Sequence, residues 1–251
     1  MREVIFDSDA VRVVKVPGSR ADVVFVTFES YADHHHPDRA GFGEHFLHSR
    51  GFGAYHFLPS SNSWYQYAEM EAALAHVRED IGPDTRILTY GMSMGGYAAF
   101  RSADRLGAHC VIAFSPQYSI DPRLVGWETR WQDIPPLLWE PPHGRRGMPL
   151  YVFYDPNNGD RHHVRLMARE GNVHRVRLRH GGHPCAAFLN ECGLLGDAIV
   201  ALAEDRFDPA ACEREAWLRR ERSAAYHEVL GRLKPPTPMR NIRRYLIGRF
   251  G

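Results

Sequence analysis

The sequence contains no apolar run approaching the roughly 20 residues that a helix needs to cross a bilayer. It holds no internal repeat and no low-complexity segment, so neither a repeat architecture nor a compositionally biased one is expected. Its four cysteines, Cys110, Cys185, Cys192 and Cys212, form no CxxC pair and complete no zinc pattern. Buried free thiols in a reducing compartment are therefore expected. Neither sign of charge dominates: 31 basic against 30 acidic side chains leave a formal charge of +1. No global field then favours nucleic acid or an acidic substrate, and no nucleic-acid partner is expected. The first 16 residues alternate like strands and carry no signal-peptide core, which points to a cytoplasmic protein.

What is present is an ordinary globular composition, 44% hydrophobic and 24% charged over 251 residues, enough for one domain with a sizeable core. Two short strand-like stretches span residues 3–16. Residues 22–28 (DVVFVTF) are a continuous apolar run, the mark of a strand buried on both faces. A loop with three consecutive histidines follows, then a short helix at 43–49 and a strand at 54–58. Tyr67, Met70, Leu74, Val77 and Ile81 recur at helical spacing, so residues 66–80 form a helix that turns one side to the core. Strands are expected at 86–90, 109–114, 149–154 and 173–178, with helices at 94–106, 162–170 and 185–203. Alternating strands and helices imply an α/β fold with a mostly parallel central sheet and helices on both faces. Residues 1–206 are read as that domain. Residues 121–147 interrupt it with Trp127, Trp131, Trp139 and two Pro-Pro pairs, an irregular insertion read as a partial lid. From Asp208 onward only helical signals remain, split by Pro235, Pro236 and Pro238, so residues 207–251 are read as a helical extension.

The chemistry concentrates in Gly91-Met92-Ser93-Met94-Gly95-Gly96, a G-x-S-x-G sequence between an expected strand and an expected helix. A chain that turns from strand to helix within one residue leaves the serine strained and exposed, and glycines on either side remove the Cβ atoms that would collide. A serine hydroxyl is a weak nucleophile at neutral pH and needs a base. His183, in Arg179-His180-Gly181-Gly182-His183 after the last strand, is the preferred base, because two glycines let its loop swing over the sheet edge. His180 is the second choice. The base needs a carboxylate to fix its tautomer. Asp155 and Asp160 both follow the strand at 149–154; Asp160, on the loop to the next helix, is preferred, and Asp155 at the strand end stays open.

With nucleophile, acid and base in the order Ser93, Asp160, His183, the sequence resembles the α/β-hydrolase family over about residues 20–203, on the GMSMGG and GGH motifs. The resemblance implies an α/β-hydrolase fold, the triad roles just named, and an oxyanion hole formed by the amide of Met94 and an amide near Ser30. Where that family often carries His-Gly after the third strand, this sequence reads Phe28-Glu29-Ser30-Tyr31, and the departure puts the substrate class in question. Glu29 and Trp64 are the candidate substrate-binding residues.

The expected activity is hydrolysis of an ester or related acyl bond through an acyl-serine intermediate, on a small-molecule or glycan-linked acyl substrate, with no cofactor. Transfer of the acyl group to a sugar or other hydroxyl is one alternative. A hydrolase-like binding module that has lost turnover is another. No metal site is expected: three adjacent histidines, His34, His35 and His36, do not readily converge on one ion, and His162-His163 reads as a surface pair at a helix start. Residues 231–251 carry Arg232, Lys234, Arg240, Arg243, Arg244 and Arg249 with Met239, Ile242, Leu246 and Phe250 at helical spacing. This basic amphipathic helix is expected to pack on the domain; contact with an anionic membrane surface or a partner protein is the alternative reading.

Overall fold

The computed structural model describes residues 2–131, 134, 147–169, 171–233 and 242. Most of the expected insertion, and the expected basic helix apart from residues 231–233 and 242, lie outside the described residues.

Eight strands form one sheet: β1 (Glu3–Asp7), β2 (Val11–Val16), β3 (Val23–Phe28), β4 (Gly53–Pro59), β5 (Arg86–Met92), β6 (Cys110–Phe114), β7 (Pro149–Tyr154) and β8 (Asn172–Arg177). Their spatial order is β1-β2-β4-β3-β5-β6-β7-β8. The β1–β2 and β2–β4 pairs are antiparallel, and every pair from β4 to β8 is parallel. The helices are α1 (Glu44–Ser49), α2 (Met70–Asp80), α3 (Met94–Leu106), α4 (Pro122–Val125), α5 (Asp160–Met167), α6 (Cys185–Glu191), α7 (Leu195–Ala203), α8 (Pro209–Arg219) and α9 (Ala224–Leu233).

Side chains alternate across a strand, so each strand feeds two cores. On β3, Val24, Val26 and Phe28 join a core covered by α2, α3 and α5, while Val23 and Phe25 join one covered by α1, α6, α7 and α8. Every residue of β3 is buried, as a strand covered on both faces requires, and the one polar member, Thr27, bonds to His56 Nδ1 at 2.6 Å. The chain leaves β3 toward β4 on one side and leaves β5 toward β6 on the other. The carboxyl ends of adjacent β3 and β5 thus flank a topological switch point, where a crevice opens in sheets of this kind.

Two expectations change. The single helix at 185–203 is two, α6 and α7, meeting at 105°. Gly193, at φ 70°, supplies the left-handed residue between them. The C-terminal helices divide at a short 3₁₀ turn, Arg220–Arg222, ahead of the prolines. Those helices pack on the main body, where Cys212, Ala216 and Tyr226 are part of the second core. No single helix among the described residues is long and apolar enough to cross a membrane.

Phe114 and Phe153 stack in that second core, both fully buried, with ring centroids 4.3 Å apart. Phe153→Ala is expected to cost about 3–5 kcal/mol of stability. The check is a lowered urea midpoint at unchanged slope; a loss below about 1 kcal/mol would mean that the neighbouring aromatics collapse into the space.

Candidate active site

Ser93 stands between the end of β5 and the start of α3 with φ 55° and ψ −118°, a strained conformation for a residue with a side chain. Its amide donates to Phe114 O on β6 at 2.8 Å, and Tyr97 N donates to its carbonyl at 2.9 Å, so both flanking elements hold it. The two glycines of the motif have specific causes. A Cβ on Gly91 would lie 2.3 Å from Gly95 O, and one on Gly95 would lie 2.1 Å from Phe28 O and 2.8 Å from Glu29 O. The start of α3 is therefore in backbone contact with the end of β3. That contact sets the loop at Glu29 and Ser30 beside Ser93 and Met94. The first amides of a helix have no intrahelical acceptor, and Met94 N is the first of α3.

His183 lies on the loop between β8 and α6. Its Nε2 is 2.9 Å from Ser93 Oγ and its Nδ1 is 2.8 Å from Asp160 Oδ2. Asp160 is 1% exposed, and its carboxyl is held below the usual carboxylate range. Burial pushes the other way and is outweighed by the His183 hydrogen bond, the Arg130 and His183 charges and the Asn158 amide. An ionised carboxylate only accepts hydrogen bonds, so Nδ1 carries the ring proton. Nε2 is then an acceptor, and the Ser93 hydroxyl donates to it. The sequence-named Ser93, Asp160 and His183 thus form one hydrogen-bonded line.

Asp155 does different work. Its Oδ2 accepts Gly182 N at 3.0 Å and its Oδ1 accepts Asn157 N at 2.9 Å. It braces the backbone one residue before His183 as well as the turn after β7. Gly182 sits at φ 69°, where a side chain would be strained. His180 turns away: its ring lies 6.2 Å from that of Tyr226 on α9.

Glu29 and Ser30 follow β3 and are half-buried. Burial raises the Glu29 carboxyl to about 7, against the pull of Arg39 and the Phe42 amide, and its Oε1 meets no partner. Its backbone carbonyl accepts the Tyr65 hydroxyl at 3.0 Å. Trp64 is fully buried, so it offers no free face. Its ring lies 4.4 Å from that of Trp131 and 6.2 Å from that of Tyr31, and Tyr31 is the exposed member of the cluster.

Among the described residues no group of three or more His, Cys, Asp or Glu could hold a metal ion. His35 is 3.1 Å from Asn62 Oδ1, and His36 Nδ1 accepts Asp38 N. The surface reading of His162-His163 fails for His163, which is fully buried because positions 160, 163, 164 and 167 share the inward side of α5. Its Nδ1 accepts Tyr118 N at 3.0 Å, so Nε2 carries the proton and donates to Glu128 Oε2 at 3.2 Å.

Sequence reading did not single out Glu128 and Arg130. Arg130 Nε and Nη2 bond to the two Glu128 oxygens at 2.9 and 2.6 Å, and Nη2 also reaches Asp160 Oδ1 at 3.4 Å. The signal available was an acid and a base two positions apart in a stretch otherwise rich in tryptophan and proline.

No protein-family model matches the chain, and no curated protein matches it in sequence. Solved structures do match its shape. The mouse α/β-hydrolase domain-containing protein 10 superposes with a TM-score of 0.56 at 12% identity, covering 82% of this chain and 99% of that one. The capsule O-acetyltransferase of Neisseria meningitidis serogroup A gives 0.53 at 11%, covering 79% and 93%. Thermogutta terrifontis esterase 2, solved phosphoramylated by tabun, gives 0.51 at 16%, covering 88% and 92%. The likeness is one of fold.

A prediction concerns Glu29. Its folded value of about 7 lies above the ordinary 4.5, so the unfolded chain ionises first as pH rises. Wild-type stability should fall relative to Glu29→Gln between about pH 4.5 and about pH 7 and then level, by on the order of 3 kcal/mol at most. Urea unfolding of both proteins across that range checks it; parallel curves would place the carboxyl in solvent.

Proposed function

We propose that this chain, which has the α/β-hydrolase fold, is a serine hydrolase that cleaves an ester or related acyl bond through an acyl-serine intermediate. The observation that carries the reading is the line Ser93 Oγ–His183–Asp160, at 2.9 and 2.8 Å, beside the first amide of α3. In this reading His183 Nε2 takes the Ser93 proton as Oγ bonds to the acyl carbon. The carbonyl π pair moves onto oxygen. The amide of Met94 and an amide near Ser30 are the proposed donors to that charge. When the carbonyl re-forms, the bond to the leaving group breaks and His183 returns its proton to that group. Water repeats the sequence to release the acid. Asp160 keeps the Nδ1 proton in place and balances the imidazolium. Each step moves a proton or an acyl group, so none calls for a cofactor. Four buried, unpaired cysteines support a cytoplasmic setting.

Acyl transfer to a sugar or other hydroxyl is the second reading. The exposed ring of Tyr31, backed by Trp131 and Trp64, favours it as a surface on which a sugar could stack. So does the likeness in fold to a capsule O-acetyltransferase. Hydrolysis and transfer differ only in which hydroxyl enters second, and product analysis with added acceptor alcohols separates them.

Two tests bear on the reading itself. A fluorophosphonate probe should label wild type and not Ser93→Ala; labelling that survives the substitution sinks the assignment. Asp160→Asn should lower turnover on the order of 10⁴-fold while the protein stays folded, because an amide cannot hold the Nδ1 proton. Asp155→Asn should lower both turnover and melting temperature, since it weakens the Gly182 brace. Near-normal turnover in Asp160→Asn would exclude that carboxyl as the triad acid.

A further inference from the structure

The proposed acid is not a simple Asp–His partner, because a third charged group reaches it. Arg130 arrives from residues 121–131, between β6 and β7, and its Nη2 is shared between Glu128 Oε2 at 2.6 Å and Asp160 Oδ1 at 3.4 Å. A guanidinium bound side-on to one carboxylate while touching a second is held firmly in direction. Glu128 is itself anchored: it is buried, and it accepts from His163 Nε2 on α5 and from the Arg130 backbone amide. Residues 163 and 160 are one turn apart on α5. The same helix therefore grips the acid–base pair at His163 and presents Asp160 to it.

We propose that Arg130 is a positioning residue whose charge, balanced by Glu128, sets how strongly Asp160 holds the imidazolium of His183. The inference rests on the Ser93–His183–Asp160 reading and extends it with a charge pair that the triad roles do not include.

The physical argument is one of sign. The imidazolium is stabilised by the negative charge Asp160 presents to it. A cation 3.4 Å from that carboxylate opposes protonation of His183, and an anion bound to the cation offsets the opposition. Arg130 alone would leave His183 neutral at lower pH and less able to hold a proton in the transition state.

Of the other charged or titratable groups around His183 and Ser93, Glu29 lies beside Ser93 with its carboxyl raised to about 7 and is the same in every variant below. Ser93 meets the His183 Nε2. Asp155 accepts the neighbouring Gly182 amide, and the thiol of Cys185 on α6 is buried and pushed up to about 12. His163 has its Nδ1 occupied as an acceptor by the Tyr118 amide. On its own loop, His180 faces Tyr226. From α9, where Val229 lies against Gly182, His227 is 3.0 Å from Glu221 O and Glu228 pairs with Arg232 at the surface. Among these, Arg130 is the cation that bonds to Asp160.

The test is a charge cycle in the full-length protein: wild type, Arg130→Gln, Glu128→Gln, the double variant, and Arg130→Lys. The readout is the rate of Ser93 modification by a fluorophosphonate as a function of pH, together with NMR titration of the His183 ring. Arg130→Gln should move the acid limb and the ring titration up by roughly 0.5–1 pH unit. Glu128→Gln should move both down. The double variant should return near wild type, and Arg130→Lys should stay closer to wild type than Arg130→Gln. A merely structural tether would lower the rate at every pH without moving the limb. Shifts of the same sign in both single variants, or none, overturn the proposal. The two readings fail separately. Absence of labelling in wild type defeats the hydrolase reading, while the NMR titration still decides whether the Arg130–Glu128 pair controls His183. Arg130 is 42% exposed at its side chain, so its variants are expected to fold, and melting temperatures verify it.

Discussion

Between the carbonyl oxygen of Phe28 and the Cα of Gly95 there is no room for a side chain: a Cβ there would stand 2.1 Å from that oxygen. The site's geometry follows from this contact. It presses the first turn of α3 onto the end of β3, at the point where the sheet's connections diverge. The residue before the turn is left in a conformation that side chains rarely adopt, and that residue is Ser93. The same contact sets the backbone of Glu29 and Ser30 alongside the free amides at the start of α3. Strain at Ser93 is sustained by what surrounds it: hydrogen bonds to β6 and α3, and neighbours that are almost all buried.

The electrostatics around this contact divide between groups whose burial is compensated and one whose burial is not. Asp155 and Asp160 are both 1% exposed. Asp160 is surrounded by side-chain donors, which outweigh the cost of removing its charge from water. Asp155 spends its oxygens on two backbone amides, so it shapes the loop that carries His183 and does not touch the ring. Two neighbouring carboxylates thus hold different tasks by the kind of donor each meets. Glu29 lacks such compensation at Oε1, and its carboxyl is raised accordingly.

Residues 121–131 enter the site through side chains alone. Glu128 and Arg130 reach α5, and Trp131 packs against Trp64 and Tyr31. The segment that sequence reading set aside as an irregular insertion is therefore joined to the acid on one side and to the aromatic cluster on the other. Tyr31 of that cluster and Arg130 of the segment both face solvent.

The order of strands and helices, the parallel sheet and the strand–serine–helix turn were legible in the sequence, because hydrophobic period and glycine placement are local properties that the backbone must obey. The G-x-S-x-G spacing named Ser93, and chain order with loop glycines pointed to His183. Between Asp155 and Asp160 local reasoning preferred the second and left the first open, since either can turn a loop. Their difference lies in which distant donors the fold delivers: Gly182, 27 positions away, to Asp155, and His183 and Arg130, 23 and 30 positions away, to Asp160. Trp64 was named as a candidate substrate-binding residue because burial cannot be read from one residue. His163 was read as exposed for the same reason, and the helix at 185–203 hid its break at Gly193. Glu128 and Arg130 offered only an acid and a base two positions apart, which does not say what they meet. Their role exists only because β6, the segment after it and α5 meet in space, and only tertiary structure decides which distant charges share a hydrogen bond.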